Sequence, residues 1–598
     1  MGGESMGKEM YTNIPSKVDD LLKDVKNGKT GLPDLQRPFQ WKDAKIRDLL
    51  DSMMKGYPIG YIMLWKSPVA YEKTHQIGTD EKMYKEPDRL VIDGQQRLTA
   101  LLAAIEGIKV KDKNYKERRV RISFNPQTRE FAVWSQGYQK NPEWISEISS
   151  VFKAHEEKQN LPSFRREYIK GVNEGRKKKG EPILTEDEEI AIENNLSDLL
   201  NLKYYLLPTL EINEEATEED ASDIFVRVNS GGQKLTEKNF IETLLAVYDP
   251  KIHKKINVFC AQSRVPEKGT SYNQILEIDP VHLIRVSVGL GFKRARLRYA
   301  YMLLRGKDLD TGAVSEKTRN ENLTKFRNAL DITTNINDWH MFLNLMMETG
   351  YINGSLVASS NAVVYSYMLY LIGKYEYKVP SEVLRKIMKK WIFMSTITYF
   401  YTGSTESEVE RQFADLRVIK DADAFVKYLD EVIGSRLSDD YFNLTLPAEL
   451  NSSSANSPVW FAYIAALNVL NTPMLFSTAP LSKYFNIGVS GEKNAIDKHH
   501  IFPKAYLEKI GYSDNRDRNQ IANFTYLDYG TNIDIGEDAP NDYAVRYKEK
   551  LGEEKYRLAC EQNALPLGFE RMEYKDFLDK RRILMSNIIR KAYNELNK

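Results

Sequence analysis

Two of the seven histidines in this 598-residue chain stand side by side, His499 and His500, and no other feature constrains it as strongly. Ala495-Ile-Asp-Lys leads into the pair and Ile501-Phe502-Pro503 follows it. This reads as a short strand that breaks at the proline, so the imidazoles sit where backbone order gives way to a loop. Downstream, Asn519-Gln-Ile-Ala-Asn-Phe-Thr-Tyr-Leu-Asp528 reads as a second short apolar strand, opened by Asn523. Asn532 follows nine residues after Asn523, just past Gly530. An adjacent histidine pair alone would read as a partly exposed loop feature. The spaced asparagines and the Ile-Phe-Pro weigh against that.

A strand with His-His, a loop, a strand opened by Asn and then a second Asn is the order of parts in a ββα-metal nuclease. Phosphodiester hydrolysis needs an activated water and a counter-charge for the developing negative oxygens. A neutral imidazole can accept the proton near neutral pH, and one divalent ion can hold the scissile phosphate and the leaving oxygen. In this arrangement His500 is expected to be the general base. His499, pointing the other way on an extended chain, is expected to be a metal ligand with Asn532. Asn523 is expected to pin the loop that orients His500.

His499-His500-Ile501-Phe502-Pro503, with Asn523 and Asn532, resembles an HNH nuclease motif, of the variety at the C-terminus of the GmrSD family of modification-dependent (type IV) restriction endonucleases. Many HNH sites carry Asp where this chain has His499. Imidazole tolerates Mn, Ni or Zn better than Mg, so the metal is left open, with Mg2+ or Mn2+ expected first.

A second informative stretch is Arg89-Leu-Val-Ile-Asp-Gly-Gln-Gln-Arg-Leu-Thr-Ala-Leu-Leu-Ala-Ala-Ile105. Leu90 to Ile92 reads as a strand and Asp93-Gly94 as a tight turn. Leu98, Leu101, Leu102 and Ile105 then recur at helical spacing. Gln95, Gln96 and Arg97 therefore fall in the first helical turn, where free N–H groups and the helix dipole attract an anion. An Arg there runs against the dipole and is better explained by a phosphate partner. The alternative is a surface turn whose polar residues merely solvate the helix start. Asp93-Gly-Gln-Gln-Arg97 is similar to the hallmark of the GmrSD N-terminal domain, which implies a ParB- and sulfiredoxin-like fold linked to nucleotide binding and hydrolysis. Gln36-Arg37-Pro-Phe-Gln-Trp41 resembles that domain's first motif, and Ile224-Phe-Val-Arg-Val-Asn229-Ser-Gly231-Gly232-Gln-Lys-Leu235 its third. The resemblance implies that these residues handle a nucleoside triphosphate of unspecified base. Gly28-Lys29-Thr30 is no P-loop, because Lys23 stands where its first glycine belongs.

Composition sets the bounds. A chain of this length holds about three domains, and 42% hydrophobic with 28% charged residues is that of a soluble globular protein. Cys260 and Cys560 are the two cysteines, with no CxxC, so neither a disulfide framework nor a thiolate zinc site is expected. Val357 to Gly373 comes closest to a membrane span but is broken by Ser359, Ser360, Asn361 and Ser366, and reads as a buried helix. With no signal peptide expected at the N-terminus, a cytoplasmic location follows. From Asn451 onward 20 Lys and Arg stand against 19 Asp and Glu, a net +1, so contact with nucleic acid must rest on local patches.

The expected class is α+β and multidomain. Residues 1–238 form the ParB/sulfiredoxin-like α/β domain, with a helical insert near 141–200 carrying the charge-dense Gly175–Glu181, read as a solvated loop. Residues 239–450 form a mainly helical connecting domain. Its Lys293-Arg-Ala-Arg-Leu-Arg298 cluster offers Arg294 and Arg298 as candidates for DNA backbone contacts, against a helix surface balanced by acids. Tyr399-Phe-Tyr-Thr-Gly-Ser-Thr405 resembles a family feature without a derivable role. The Asn/Ser-rich 451–457 is the clearest linker, and 451–598 form the ββα-metal HNH domain, with Lys504 another DNA candidate and Lys580-Arg-Arg582 at the start of its last helix.

The functional expectation is an anti-phage defence endonuclease. It is nucleotide-regulated through the N-terminal motif and cuts DNA, modified phage DNA by family resemblance, with a one-metal mechanism leaving 5′-phosphate and 3′-hydroxyl ends. Two rivals stay open. One is a nucleotide-switched DNA-binding clamp; the other is a modified-DNA sensor nuclease without nucleotide turnover. Nothing in the sequence names the modification, or decides between a homo-oligomer and a partner subunit.

Overall fold

The apolar runs of the first two hundred residues are explained by a sheet buried on both faces. The computed structural model describes residues 10–32, 39, 41–66, 88–111, 116–157, 161–216, 220, 224, 228, 241, 245, 249–308, 311–313, 315–403, 405–454, 456–485 and 496–598. The chain is α+β and mostly helical, and it divides into two units, Met1–Asn257 and Val258–Lys598.

In the first unit β1 (Tyr11–Asn13), α1 (Val18–Lys26), β2 (Thr30–Gly31), α2 (Asp43–Met54), β3 (Ile62–Lys66), β4 (Arg89–Asp93) and α3 (Gln95–Ile105) precede a helical stretch and β5 (Thr209–Ile212). The strands make one mixed sheet in the order β1-β5-β3-β4-β2. Pairing is parallel for β5 with β3 and for β4 with β2, and antiparallel for the other two pairs. Because side chains alternate along a strand, Ile62 and Leu64 point to one face. There they pack with Val18, Leu22, Ile46, Leu50 and Leu101 from the three helices. Met63 and Trp65 point to the other face and join Ile92 and Ile212. Burial on both sides is why Tyr61 to Trp65 reads as a continuous apolar run rather than an alternating one.

Between α3 and β5 stand α4 (Ser149–Glu156), α5 (Leu161–Lys179) and α6 (Glu186–Asn201). Here one expectation is corrected: the charge-dense Gly175–Glu181 is helical as far as Lys179, and only Gly180, at φ 74°, turns the chain. Four basic residues in the last turn suit the helix dipole. Arg176 is held by Glu188 of α6 at 3.0 Å and by Gln127 at 2.8 Å. Gly175 is required inside the helix, since a Cβ there would lie 2.4 Å from Pro142.

The second unit opens with helices, among them α7 (Pro280–Phe292), α8 (Leu297–Arg305), α9 (Ser360–Tyr375), α10 (Ser381–Ile397) and α11 (Thr405–Leu416). α9 is buried from Ala362 through Gly373, as a core helix should be. Among the described residues no helix is long and apolar enough to cross a membrane. Tyr401 is fully buried, and its carbonyl accepts a hydrogen bond from the Thr405 hydroxyl at 2.9 Å, closing the turn into α11.

Residues 451–454 run as coil within this unit, with the Ser452 carbonyl accepting from the Ile521 N–H at 2.8 Å. Then follow α12 (Pro458–Val469), β6 (Ile496–His500), α13 (Lys504–Lys509), β7 (Phe524–Asp528), α14 (Tyr529–Ile535) and the long α15 (Tyr574–Glu595). α12 is buried all round and packs on α10 and α15. Lys580-Arg-Arg582 is not a basic helix start: it lies within α15, and Arg581 is 0% exposed, donating from Nη1 to the Ala522 carbonyl at 2.7 Å.

Candidate functional site

β6 and β7 pair antiparallel, with His500 opposite Phe524, His499 opposite Thr525 and Lys498 opposite Tyr526. The pleat therefore sends His499 to one face and Lys498 and His500 to the other. The strand end is anchored from below. Ile501 and Phe502 are buried, Phe502 among Tyr574 and Phe577, with ring centroids 5.3 and 4.7 Å away. The Tyr543 hydroxyl donates to the Ile501 carbonyl at 2.7 Å.

Asn523 closes a short 3-10 turn, Ile521–Asn523, immediately before β7 and is completely buried. Its Oδ1 accepts from the Phe502 N–H at 2.8 Å, and its Nδ2 donates to the Phe502 carbonyl at 3.0 Å and to the Arg518 carbonyl at 3.3 Å. The Asn523 carbonyl also accepts from the Ile501 N–H at 2.8 Å. One asparagine thus fixes the two residues after His500.

His500 stands edge-on to the Phe524 ring, centroids 4.8 Å apart at 81°, and its Nε2 meets Asn519 Oδ1 at 3.0 Å. With a carbonyl oxygen against Nε2, the neutral ring carries its proton there and its lone pair on Nδ1. Burial pushes the imidazole pKa down to about 4; the Asn519 hydrogen bond opposes this, and the neighbouring Lys504, His499 and Lys498 add to it. The ring is therefore neutral near pH 7 and able to take a proton. Asn519 was not singled out from the sequence. Its only signal is its place four residues before Asn523.

On the other face His499 Nδ1 lies 2.8 Å from Asn532 Oδ1. Asn532 reaches it because Asp528 caps α14, accepting from the Thr531 N–H at 2.9 Å and so setting the helix directly after β7. Two ligand atoms on adjacent positions of a hard octahedral cation with bonds of about 2.0–2.1 Å lie about 3 Å apart. The contact is a hydrogen bond from Nδ1–H to Oδ1; in the tautomer protonated on Nε2 the same two atoms keep that spacing as lone-pair donors, so the set fits a divalent cation. Among the described residues no cluster of three His, Cys, Asp or Glu forms. A cation held by this imidazole and amide alone would take the rest of its coordination from water and a phosphate-bearing substrate, and its neutralising charge from the phosphate.

The other expected DNA contacts are less suited. Arg294 is engaged by Glu410 at 3.0 Å and lies over the Tyr299 ring at 4.9 Å, while Lys293 pairs with Glu376. The acid-balanced surface describes that cluster better, though Arg298 and Lys504 are exposed.

In the first unit Asp93 ends β4, and Gly94, at φ 85°, turns the chain into α3. A Cβ at Gly94 would sit 2.4 Å from Ile62 Cδ1, so both φ and space demand glycine. Gln95 Nε2 donates to the Val91 carbonyl at 2.8 Å, while its Oε1 is buried without a partner among the described residues. Gln96 lies beside it in the first turn. Arg97 donates from Nη1 to the Tyr61 carbonyl, with its guanidinium against Gly60. Expected phosphate contact notwithstanding, this Arg is braced on the turn before β3. Gln36, Arg37, Asn229, Gly231 and Gly232 lie outside the described residues.

The chain is similar to the uncharacterized protein MJ0686 of Methanocaldococcus jannaschii, 22% identical over 564 residues that cover 91% of this chain and 88% of that one. Residues 18–246, the stretch that holds the Asp93–Arg97 turn, match the family described as GmrSD restriction endonuclease, N-terminal domain.

Proposed function

We propose that this protein is a metal-dependent DNA endonuclease of the GmrSD restriction type, with its cutting centre at the β6–β7–α14 corner. The observation that carries the reading is the pairing of a neutral, oriented imidazole on one face of β6 with a His499–Asn532 donor pair 2.8 Å apart on the other. These are the parts of a one-metal HNH mechanism. His500 takes the proton of the attacking water, and Asn519 and Phe524 hold its ring in place. Asn523 holds the loop on which that ring depends. A divalent cation held by His499 and Asn532 would supply charge stabilisation for the scissile phosphate and the leaving 3′ oxygen. The products are a 5′-phosphate and a 3′-hydroxyl.

The N-terminal unit is proposed to bind a nucleoside triphosphate through Asp93, Gly94, Gln95, Gln96 and Arg97, together with Gln36, Arg37, Asn229, Gly231 and Gly232, and to regulate cutting. Modified phage DNA is the proposed target. A second reading, in which that unit senses modified DNA and turns over no nucleotide, is favoured by the bracing of Arg97 on the Tyr61 carbonyl. Phosphate release with and without DNA, in wild type and Arg97→Ala, separates the two. Wild-type hydrolysis that the variant loses supports nucleotide turnover; no hydrolysis in either supports the sensor.

A further inference from the structure

His500 does not stand alone on its face of β6. Lys498 is two residues earlier on the same strand, and its side chain rises on the same side. Its ammonium lies 4.3 Å above the centroid of Phe524, the ring that His500 meets edge-on. Phe524 is thus a shared platform that sets the cation beside the imidazole. Lys504, exposed at the first position of α13, adds a second positive charge that acts on both His500 and Lys498. In the same segment Arg518 pairs with Glu508 at 3.2 Å and Arg546 with Asp538 at 3.0 Å. Lys498 and Lys504 have no carboxylate partner among the described residues. Lys504 acts on Lys498 as a like charge, and with no carboxylate pairing either ammonium among the described residues, an anion beside them relieves that repulsion.

We propose that Lys498, assisted by Lys504, forms a phosphate-holding subsite on the His500 face of β6, taking a backbone phosphodiester of duplex DNA. This rests on the reading of His500 as the general base. The scissile phosphate is then approached by Lys498 from the side of the attacking water, while the His499–Asn532 pair serves the opposite face of the strand. The ammonium acts as a point charge on a non-bridging oxygen. No proton transfer is asked of it.

Lys498→Gln, Lys498→Arg and Lys504→Gln test the subsite in two arms. In a His500→Ala background, anisotropy with a 30-base-pair duplex measures Kd against salt concentration. Each lost phosphate contact should flatten the slope of log K against log salt by about 0.9, with Lys498→Arg keeping the wild-type slope. In the His500 protein, single-turnover cleavage by Lys498→Gln should fall at least about tenfold at saturating DNA, and Lys498→Arg should recover most of it. A purely structural lysine would lower the melting temperature and leave both slope and saturated rate alone. Unchanged slope and rate in Lys498→Gln overturn the proposal. If the His500 protein does not cut at all, the general-base reading fails, while the slope still decides whether the lysines hold phosphate.

Discussion

Asn523 grips Phe502 with both ends of its amide, accepting from its N–H at 2.8 Å and donating to its carbonyl at 3.0 Å. A side chain with no exposed surface thereby replaces a strand's backbone ladder where β6 ends. Asn523→Ala would leave these groups and the Arg518 carbonyl unpaired inside the protein. At about 1–3 kcal/mol for each unsatisfied buried group, partly relieved by relaxation, a loss of about 2–4 kcal/mol is expected. Urea unfolding of the two proteins checks this, and cleavage should fall with it. His500→Ala, by contrast, should abolish cleavage at little cost in stability.

Asn519 touches His500 and nothing else in the proposed chemistry. Asn519→Ala should therefore lower kcat by about 10–100-fold with KM little changed, the scale seen when a partner that orients a catalytic ring is removed.

The His500 pKa, pushed down to about 4 chiefly by burial, gives a signed pH dependence. An unfolded His titrates near 6.5, so between about pH 6.5 and 4 the unfolded chain binds the extra proton and the folded one does not. The stability held above that window is lost as pH falls through it. Resonances of His500 in chelator-treated protein should titrate well below those of an exposed histidine, and lower still in Asn519→Ala, since that hydrogen bond raises the pKa.

Metal affinity should depend on DNA. The His499–Asn532 pair carries no negative charge, so Mn2+ binding to the protein alone should be weak and should tighten at least about tenfold with a duplex that supplies phosphate oxygens. Calorimetry on His500→Ala, which binds without cutting, measures both. His499→Ala should remove the DNA-dependent tightening.

In the first unit the prediction is steric. Gly94→Ala forces a Cβ into the left-handed turn and to within 2.4 Å of Ile62 Cδ1, and should cost at least about 1–3 kcal/mol. Arg97→Ala should loosen the Gly60–Tyr61 turn. Limited proteolysis should show earlier cleavage near Tyr61.

What was legible in the sequence followed local rules. Helices α1, α2 and α9 announce themselves through i, i+3, i+4 spacing or continuous apolarity, and the Gly94 turn through its place between strand and helix. The order His-His, Asn523, Asn532 marks His499 and Asn532 as expected ligands of one metal and Asn523 as a loop anchor; the structure brings His499 and Asn532 to 2.8 Å of each other and sets Asn523 on Phe502. The misses depend on residues far away in the chain. Gly175–Glu181 looked like a loop because a charge run closes a helix as readily as it solvates one, and only Pro142 and Glu188 reveal which. Lys580-Arg-Arg582 reads as the basic start of a helix, but Arg581 is buried against Ala522, with the Tyr463, Tyr543 and Tyr574 hydroxyls acting on it. Asn519 has no periodicity to mark it. Its role exists only once the 3-10 turn folds it toward β6.

Supercoiled-plasmid conversion with Mg2+ or Mn2+ decides whether His500 is the base of a metal-dependent endonuclease. The assay uses plain and modified DNA, with and without each nucleoside triphosphate, and His500→Ala in parallel. The wild type should cut only with the metal and leave 5′-phosphate ends that a ligase accepts, and His500→Ala should not cut. Equal cutting by His500→Ala, or no cutting by the wild type under any of these conditions, would contradict that role for His500.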